Sequence, residues 1–161
     1  MNKVNLSNLS WNNNITEGFA SRRKQIGQAA GGKKIGTSAF QLLPGVKAFP
    51  FHAHLANEEA IFILSGEGQM RIGPEKINIS QHDYIALPAG DAFAHQIINT
   101  SDKPLEYLCI STMIEPDVIL YPDSEKIGLL SGSAPGGKKT PHSKKHFFKL
   151  NSAVPYFKDE K

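Results

Sequence analysis

The chain is poor in cysteine and in tryptophan, with one of each among its 161 residues. The lone Cys109 excludes an intrachain disulfide, and with it the disulfide scaffolds of small secreted domains. It equally excludes zinc sites built from paired cysteines. Long apolar runs are missing too. No stretch approaches the ~20 apolar residues that span a bilayer as a helix. Residues 1–7 carry no apolar core of the kind a signal peptide needs. The expectation is a cytoplasmic protein with no membrane partner. Charge of one sign is also scarce: 18 Lys and Arg stand against 15 Asp and Glu, a formal net charge of +3. The chain as a whole is no polycation, and nucleic acid is not expected as its partner.

What is present suffices for a core. Hydrophobic residues make up 40% and charged residues 20%, which separates the chain from disordered sequences. The length implies one domain. Residues 1–34 are mixed and basic through Arg22, Arg23, Lys24, Lys33 and Lys34. These cations read as a solvated surface or, more sharply, as a device that steers anions. Residues 17–30 suggest a short helix ended by Gly31 and Gly32.

From residue 35 to 121 the texture changes. Short Ile-, Phe-, Tyr- and Leu-rich runs are broken by turn signals such as Pro44-Gly45, Gly66-Glu67-Gly68, Gly73-Pro74 and Pro88-Ala89-Gly90. Strands are expected over 35–43, 49–54, 59–65, 69–72, 76–79, 84–87, 93–98, 105–112 and 118–121. Many short, evenly spaced strands predict an all-β sandwich or barrel. Residues 131–146 are rich in Gly, Ser, Pro and Lys and read as a loop or linker. Lys138, Lys139, Lys144, Lys145 and Lys149 read as a solvated tail. The aromatics Phe147, Phe148, Tyr156 and Phe157 call for burial, in a last strand or against a partner subunit. Residues 1–34 and 122–161 therefore flank a barrel over 35–121 as N- and C-terminal extensions.

Four residues suggest a metal site. His52 and His54 lie two apart on an expected strand, so their imidazoles leave one face about 6.6 Å apart. Glu59 opens the next strand, and His95 lies on a later one. Glu58 competes with Glu59, because both Ala60-Phe62-Leu64 and Ile61-Ile63 are apolar and alternation does not choose between them. Phe93 and Ile97 are expected to share the inward face of His95. Cys109, inside Leu108-Cys109-Ile110, is expected to be a buried inert thiol.

Gly45, His52, His54, Glu59 and Gly66 follow the order of the first motif of the cupin superfamily, and Pro88, Gly90, His95 and Asn99 that of the second. The sequence thus resembles a small single-domain cupin of bacterial type. Spacing departs from the pattern between Gly45 and His52 and between Gly90 and His95, both longer than usual, and His82 stands where a turn glycine is usual. The resemblance implies a double-stranded β-helix, a jelly-roll type β-barrel. It also implies one divalent transition metal (Fe, Mn, Ni, Cu or Zn) on His52, His54, Glu59 and His95, with Glu59 favoured over Glu58 by its spacing to Gly66. Three imidazoles and a carboxylate are an intermediate donor set that all five metals accept. A closed tetrahedron would be structural, whereas open positions would let the ion polarise a carbonyl or activate water.

The expected function is a metal-dependent enzyme of oxygenase, isomerase or lyase type on a small polar or carbonyl-bearing molecule. The alternative is a non-catalytic small-molecule binding or sensor module that uses the same metal. A homodimer is also expected, because alternation places Phe49 and Phe51 opposite the histidines, on an outer apolar face that needs cover.

Overall fold

The alternating apolar pattern folds the middle of the chain into two facing β layers. The computed structural model describes residues 2–160. In chain order its strands are β1 (Asn12–Thr16), β2 (Phe19–Gln25), β3 (Ile35–Leu42), β4 (Ala53–His54), β5 (Glu59–Ser65), β6 (Glu67–Ile72), β7 (Glu75–Ser80), β8 (Tyr84–Leu87), β9 (His95–Ile98), β10 (Leu105–Thr112), β11 (Asp117–Tyr121), β12 (Lys126–Ser131) and β13 (Lys144–Lys149). One short helix, α1 (Ile26–Ala29), interrupts them.

The first layer runs β1-β2-β3-β10-β5-β8. The second is built from β13-β12-β11-β4 and β7-β6-β9. The segment leading into β4 joins these two groups by running antiparallel to β9. His52 N–H donates to the His95 carbonyl at 3.1 Å, and the His52 carbonyl accepts from His95 N–H at 2.7 Å. Farther along, Ala48 N–H donates to Ile97 O at 3.1 Å and Asn99 N–H to Val46 O at 3.0 Å. The result is the expected all-β jelly roll, a double-stranded β-helix.

Between the layers lie Leu42, Ile63, Met70 and Leu105, all at 0% exposure, with Phe40 stacked on Tyr107 at 5.3 Å between ring centroids. Strand alternation produces this core: on β10, Leu105 and Tyr107 point inward while Glu106 between them points out. Gly66 (φ +83°) is required at its turn, since an added Cβ would lie 2.5 Å from Pro104 O. His82 sustains its turn at φ +76°, a region histidine tolerates better than most residues. Buried Asn99 accepts from Ser101 N–H at 3.0 Å in its own turn and donates to Leu42 O at 3.0 Å, which ties that turn to β3.

Several sequence expectations need correction. Most of 17–30 is not helical, because Phe19–Gln25 pairs with β3 (Arg23 opposite Phe40, Lys24 opposite Ala39) and only Ile26–Ala29 turns as a helix. Ala, Arg, Lys and Gln in this stretch are good helix formers, but propensity is a small term per residue, and pairing with the open edge of β3 outweighs it. Phe49 and Phe51 do not form an outer patch. Phe51 is buried with Ala53 and Ala94 beneath the Arg71 guanidinium, 3.6 Å above its ring, and Phe49 packs edge-on against Phe40. Phe93 belongs to a 3₁₀ turn over Asp91–Phe93 that precedes β9, so it does not share the inward face of His95. The C-terminal extension adds two paired strands, β12 and β13, to the second layer.

Candidate metal centre

His52 and His54 bracket the start of β4, His95 opens β9 beside them, and Glu59 opens β5 in the opposite layer. The barrel thus brings all four residues to one wall of a cavity of about 610 Å³. Ligand atoms of His52, His54 and Glu59 lie within 4.8 Å of one another. Glu59 Oε2 stands 3.2 Å from His95 Nε2 and 3.9 Å from His54 Nε2. Glu58, its competitor in sequence, is exposed outside the cavity.

The hydrogen bonds of the rings decide what they can do. His52 Nδ1 lies 2.8 Å from Pro50 O, and His95 Nδ1 lies 3.0 Å from Phe93 O. A carbonyl oxygen only accepts, so in both rings Nδ1 carries the proton. His54 Nδ1 meets Asp117 Oδ2 at 2.6 Å, and this buried carboxylate is an acceptor too. In the neutral rings every Nε2 is then a bare lone pair, and those of His54 and His95 lie 3.9 and 3.2 Å from Glu59. So close a group of acceptors is relieved by a shared proton or by a metal cation between them. Burial, followed by the neighbouring His95 and His54, pushes His52 down to about 3, so that ring stays neutral and brings no proton of its own. This is the outer-shell pattern that orients imidazoles toward a metal, and the donor set fits a divalent ion.

Other charges in the centre are set by the same contacts. Burial alone would raise Glu59, but the contact with His95 at 3.2 Å and the nearby His54 and His52 hold it at about 2. Burial opposes charge on His54, yet the bond to Asp117 and the charges of Glu59 and Asp117 prevail and raise it. Asp117 is lowered despite burial, chiefly through His54. Tyr121 stacks on His52 at 6.0 Å and is pushed up to about 12 by burial and then by Asp117, so its phenol remains a donor.

Sequence reasoning missed Asp117, Tyr121 and the place of Cys109. Asp117 follows a proline beyond both motifs and carries no local sign of its partner. Cys109 is only partly buried, and its Sγ lies 3.6 Å from Glu59 Oε1 on the cavity wall. Its thiol is held well above the usual value by burial and then by Glu59, so it is inert as a nucleophile, though not as part of a sealed core. Ile97 does line the cavity, as the alternation from His95 implied.

The cupin-domain family model matches residues 39–111, which contain His52, His54, Glu59 and His95. Residues 39–111 are a cupin domain. Three solved structures share the fold of this cupin. A protein from Acidithiobacillus ferrooxidans, provisionally called a sugar phosphate isomerase, is 23% identical with TM-score 0.81, over 93% of this chain and 91% of that one. A cupin-superfamily protein from Silicibacter pomeroyi, called a sugar phosphate isomerase, is 20% identical with TM-score 0.79, over 94% of both chains. A predicted oxalate decarboxylase from Thermotoga maritima is 22% identical with TM-score 0.60, over 70% of this chain and 99% of that one. No curated protein matches this cupin significantly.

Proposed function

We propose that this cupin is a metal-dependent enzyme of isomerase type acting on a small, polar, carbonyl-bearing molecule. In this reading His52, His54, Glu59 and His95 hold one divalent transition metal. The carrying observation is the set of three imidazoles whose Nδ1 atoms are engaged outward and whose Nε2 atoms face Glu59 beside an open cavity. A divalent ion held there would polarise a substrate carbonyl and acidify the adjacent carbon. The chain's own residues do the rest. Asp117 keeps His54 in the ligating tautomer. Tyr121, a neutral donor beside His52, is placed to bond a substrate oxygen. Phe40, Phe49 and Ile97 give the cavity an apolar wall around that polar focus. The choice of isomerase over oxygenase or lyase is supported by the names of the two relatives that match over nine-tenths of both chains.

The same reading includes a cytoplasmic homodimer. Its support is the exposed apolar end of the chain, where Tyr156 is 89% and Phe157 78% exposed.

The test is elemental analysis of the purified protein, then removal of metal by chelation and reloading with Fe, Mn, Ni, Cu or Zn. Small hydroxy-aldehydes and hydroxy-ketones, free and phosphorylated, are then followed by NMR in deuterated water. Metal-dependent exchange of the proton beside the carbonyl supports the proposal. A metal-loaded protein that binds these compounds without exchange or turnover would return the protein to the binding-module class.

A further inference from the structure

The same cavity carries a cation that the metal centre does not use. Arg23, on β2, is half-buried and lines the same cavity as His52 and Glu59. Its guanidinium is fixed from three sides. Nε donates to Ser38 Oγ at 3.0 Å, Nη2 donates to Gly136 O at 3.2 Å, and the group lies 5.6 Å from the centre of the Phe40 ring. No carboxylate pairs with it among the described residues. A guanidinium has five N–H donors, so three remain unengaged by protein.

The rest of the wall reinforces this. Lys33, Lys138 and Lys145 line the cavity with Arg23, against only Glu59 and Glu115. Glu59 is already turned to the imidazoles. The cavity is therefore net cationic before any metal enters, a field that concentrates anions. The loop between β12 and β13 closes over Arg23 through Gly136, whose carbonyl also accepts from Gln25 Nε2 at 3.0 Å. Glycine suits this position: φ is +73°, and an added Cβ would lie 2.7 Å from Arg23 Nη2 and displace the guanidinium.

We infer that Arg23, roofed by the Gly132–Ser143 loop, is an oxyanion subsite that holds the phosphoryl group of a substrate whose carbonyl end faces the metal centre. This rests on the proposed function and narrows it to phosphorylated hydroxy-carbonyl compounds. A planar fork with free donors matches the oxygens of a phosphoryl group. The several surrounding lysines suit a dianion better than a single carboxylate.

The experiment uses the full chain, with and without zinc, and four versions: wild type, Arg23→Gln, Arg23→Lys and Gln25→Ala. Inorganic phosphate binding is measured by ³¹P NMR titration, and glycolaldehyde phosphate is compared with glycolaldehyde by calorimetry. Wild type should bind phosphate, and bind glycolaldehyde phosphate more tightly than either phosphate or glycolaldehyde alone. Arg23→Gln should weaken phosphate by roughly tenfold to a hundredfold, and Arg23→Lys by less. Zinc affinity should stay unchanged in both. Gln25→Ala loosens the same loop while keeping the charge, so it should change phosphate binding little. Equal losses in Gln25→Ala and Arg23→Gln would overturn the subsite and leave Arg23 as a loop anchor. So would equal binding of glycolaldehyde with and without its phosphate. Zinc binding without phosphate binding would sink this inference and spare the proposed metal centre. Phosphate binding without zinc binding would do the reverse. Circular dichroism of each variant, and the retained charge of Arg23→Lys, keep the comparison valid if Arg23→Gln folds poorly.

Discussion

Replacing Asp117 with Asn tests the logic of the metal centre at one atom. In the native chain the two carboxylate oxygens serve two donors: Oδ2 faces His54 Nδ1 at 2.6 Å and Oδ1 accepts from Ala56 N–H at 3.0 Å. An amide has one acceptor oxygen and turns its NH₂ toward the other donor. If the amide keeps Ala56, it opposes the His54 N–H, and the ring escapes by moving its proton to Nε2. The lone pair meant for the metal is then lost. If it keeps His54, the backbone N–H of Ala56 is left facing a donor. Loss of such an outer-shell partner lowers metal affinity by about 10- to 100-fold, or about 1.4 to 2.8 kcal/mol. The second outcome instead costs about 1–3 kcal/mol of stability through an unsatisfied donor. Asp117→Asn should show one loss or the other. Zinc competition against a chromophoric chelator at neutral pH, together with denaturant unfolding of the metal-free protein, separates them. Asp123→Asn, at an exposed ion pair with Arg71, is the control and should change neither. Wild-type affinity and wild-type stability in Asp117→Asn would refute the argument that ring tautomers define this site.

Other expectations follow from the same geometry. A His52→Ala, His54→Ala double variant should lose metal by elemental analysis and keep its β-sheet circular dichroism, because the Leu42–Met70 core lies apart from the ligands. Full metal occupancy in that variant would remove these residues from the centre. Leu42→Ala, at 0% exposure, should lower unfolding free energy by about 2–5 kcal/mol in urea titrations. In the metal-free protein, His52 is lowered from 6.5 to about 3 and Glu59 from 4.5 to about 2. The folded form of each binds protons less readily than the unfolded one, so their stability is full above those ordinary values and lost as pH falls toward the lowered ones. His54, raised, works in the opposite sense and loses its contribution as pH rises through its folded value. His54 changes its contribution only above 6.5, so below that the lowered His52, Glu59 and Asp117 act together and thermal midpoints should fall as pH drops from 6.5 toward 3; a flat profile would contradict the assignment. Light scattering at micromolar concentration should give twice the chain mass, and a monomer would reject the dimer.

Much of the barrel could be read from the sequence, because a period of two with glycine turns leaves few alternatives for runs such as residues 59–65 and 105–112. Glu59 over Glu58 was not decidable from alternation, since both faces of β5 are apolar; only the spacing to Gly66 favoured it. Phe49 and Phe51 depart from expectation because alternation cannot tell an open strand face from a covered one. Arg71, twenty residues on, covers Phe51. Asp117 and Arg23 were illegible as site residues for one reason: each acts across a distance in sequence of the kind that local pattern cannot span, 63 positions from His54 and 113 from Gly136. The basic character of residues 22–34 was visible, and steering of anions was among its readings, but nothing local says which cation faces inward.

The Gly136 carbonyl accepts from both Arg23 and Gln25, so the segment before the barrel and the segment after it meet above the same opening. If Arg23 holds a substrate's phosphoryl group, scaffold and selectivity are carried by different stretches of chain. Leu42, Ile63, Met70 and Leu105 are buried in the core, whereas the β2 face and the Gly132–Ser143 loop would decide what passes beneath them. New substrates could be admitted by rewriting the two flanks while the central strands, and the metal ligands they carry, stay as they are.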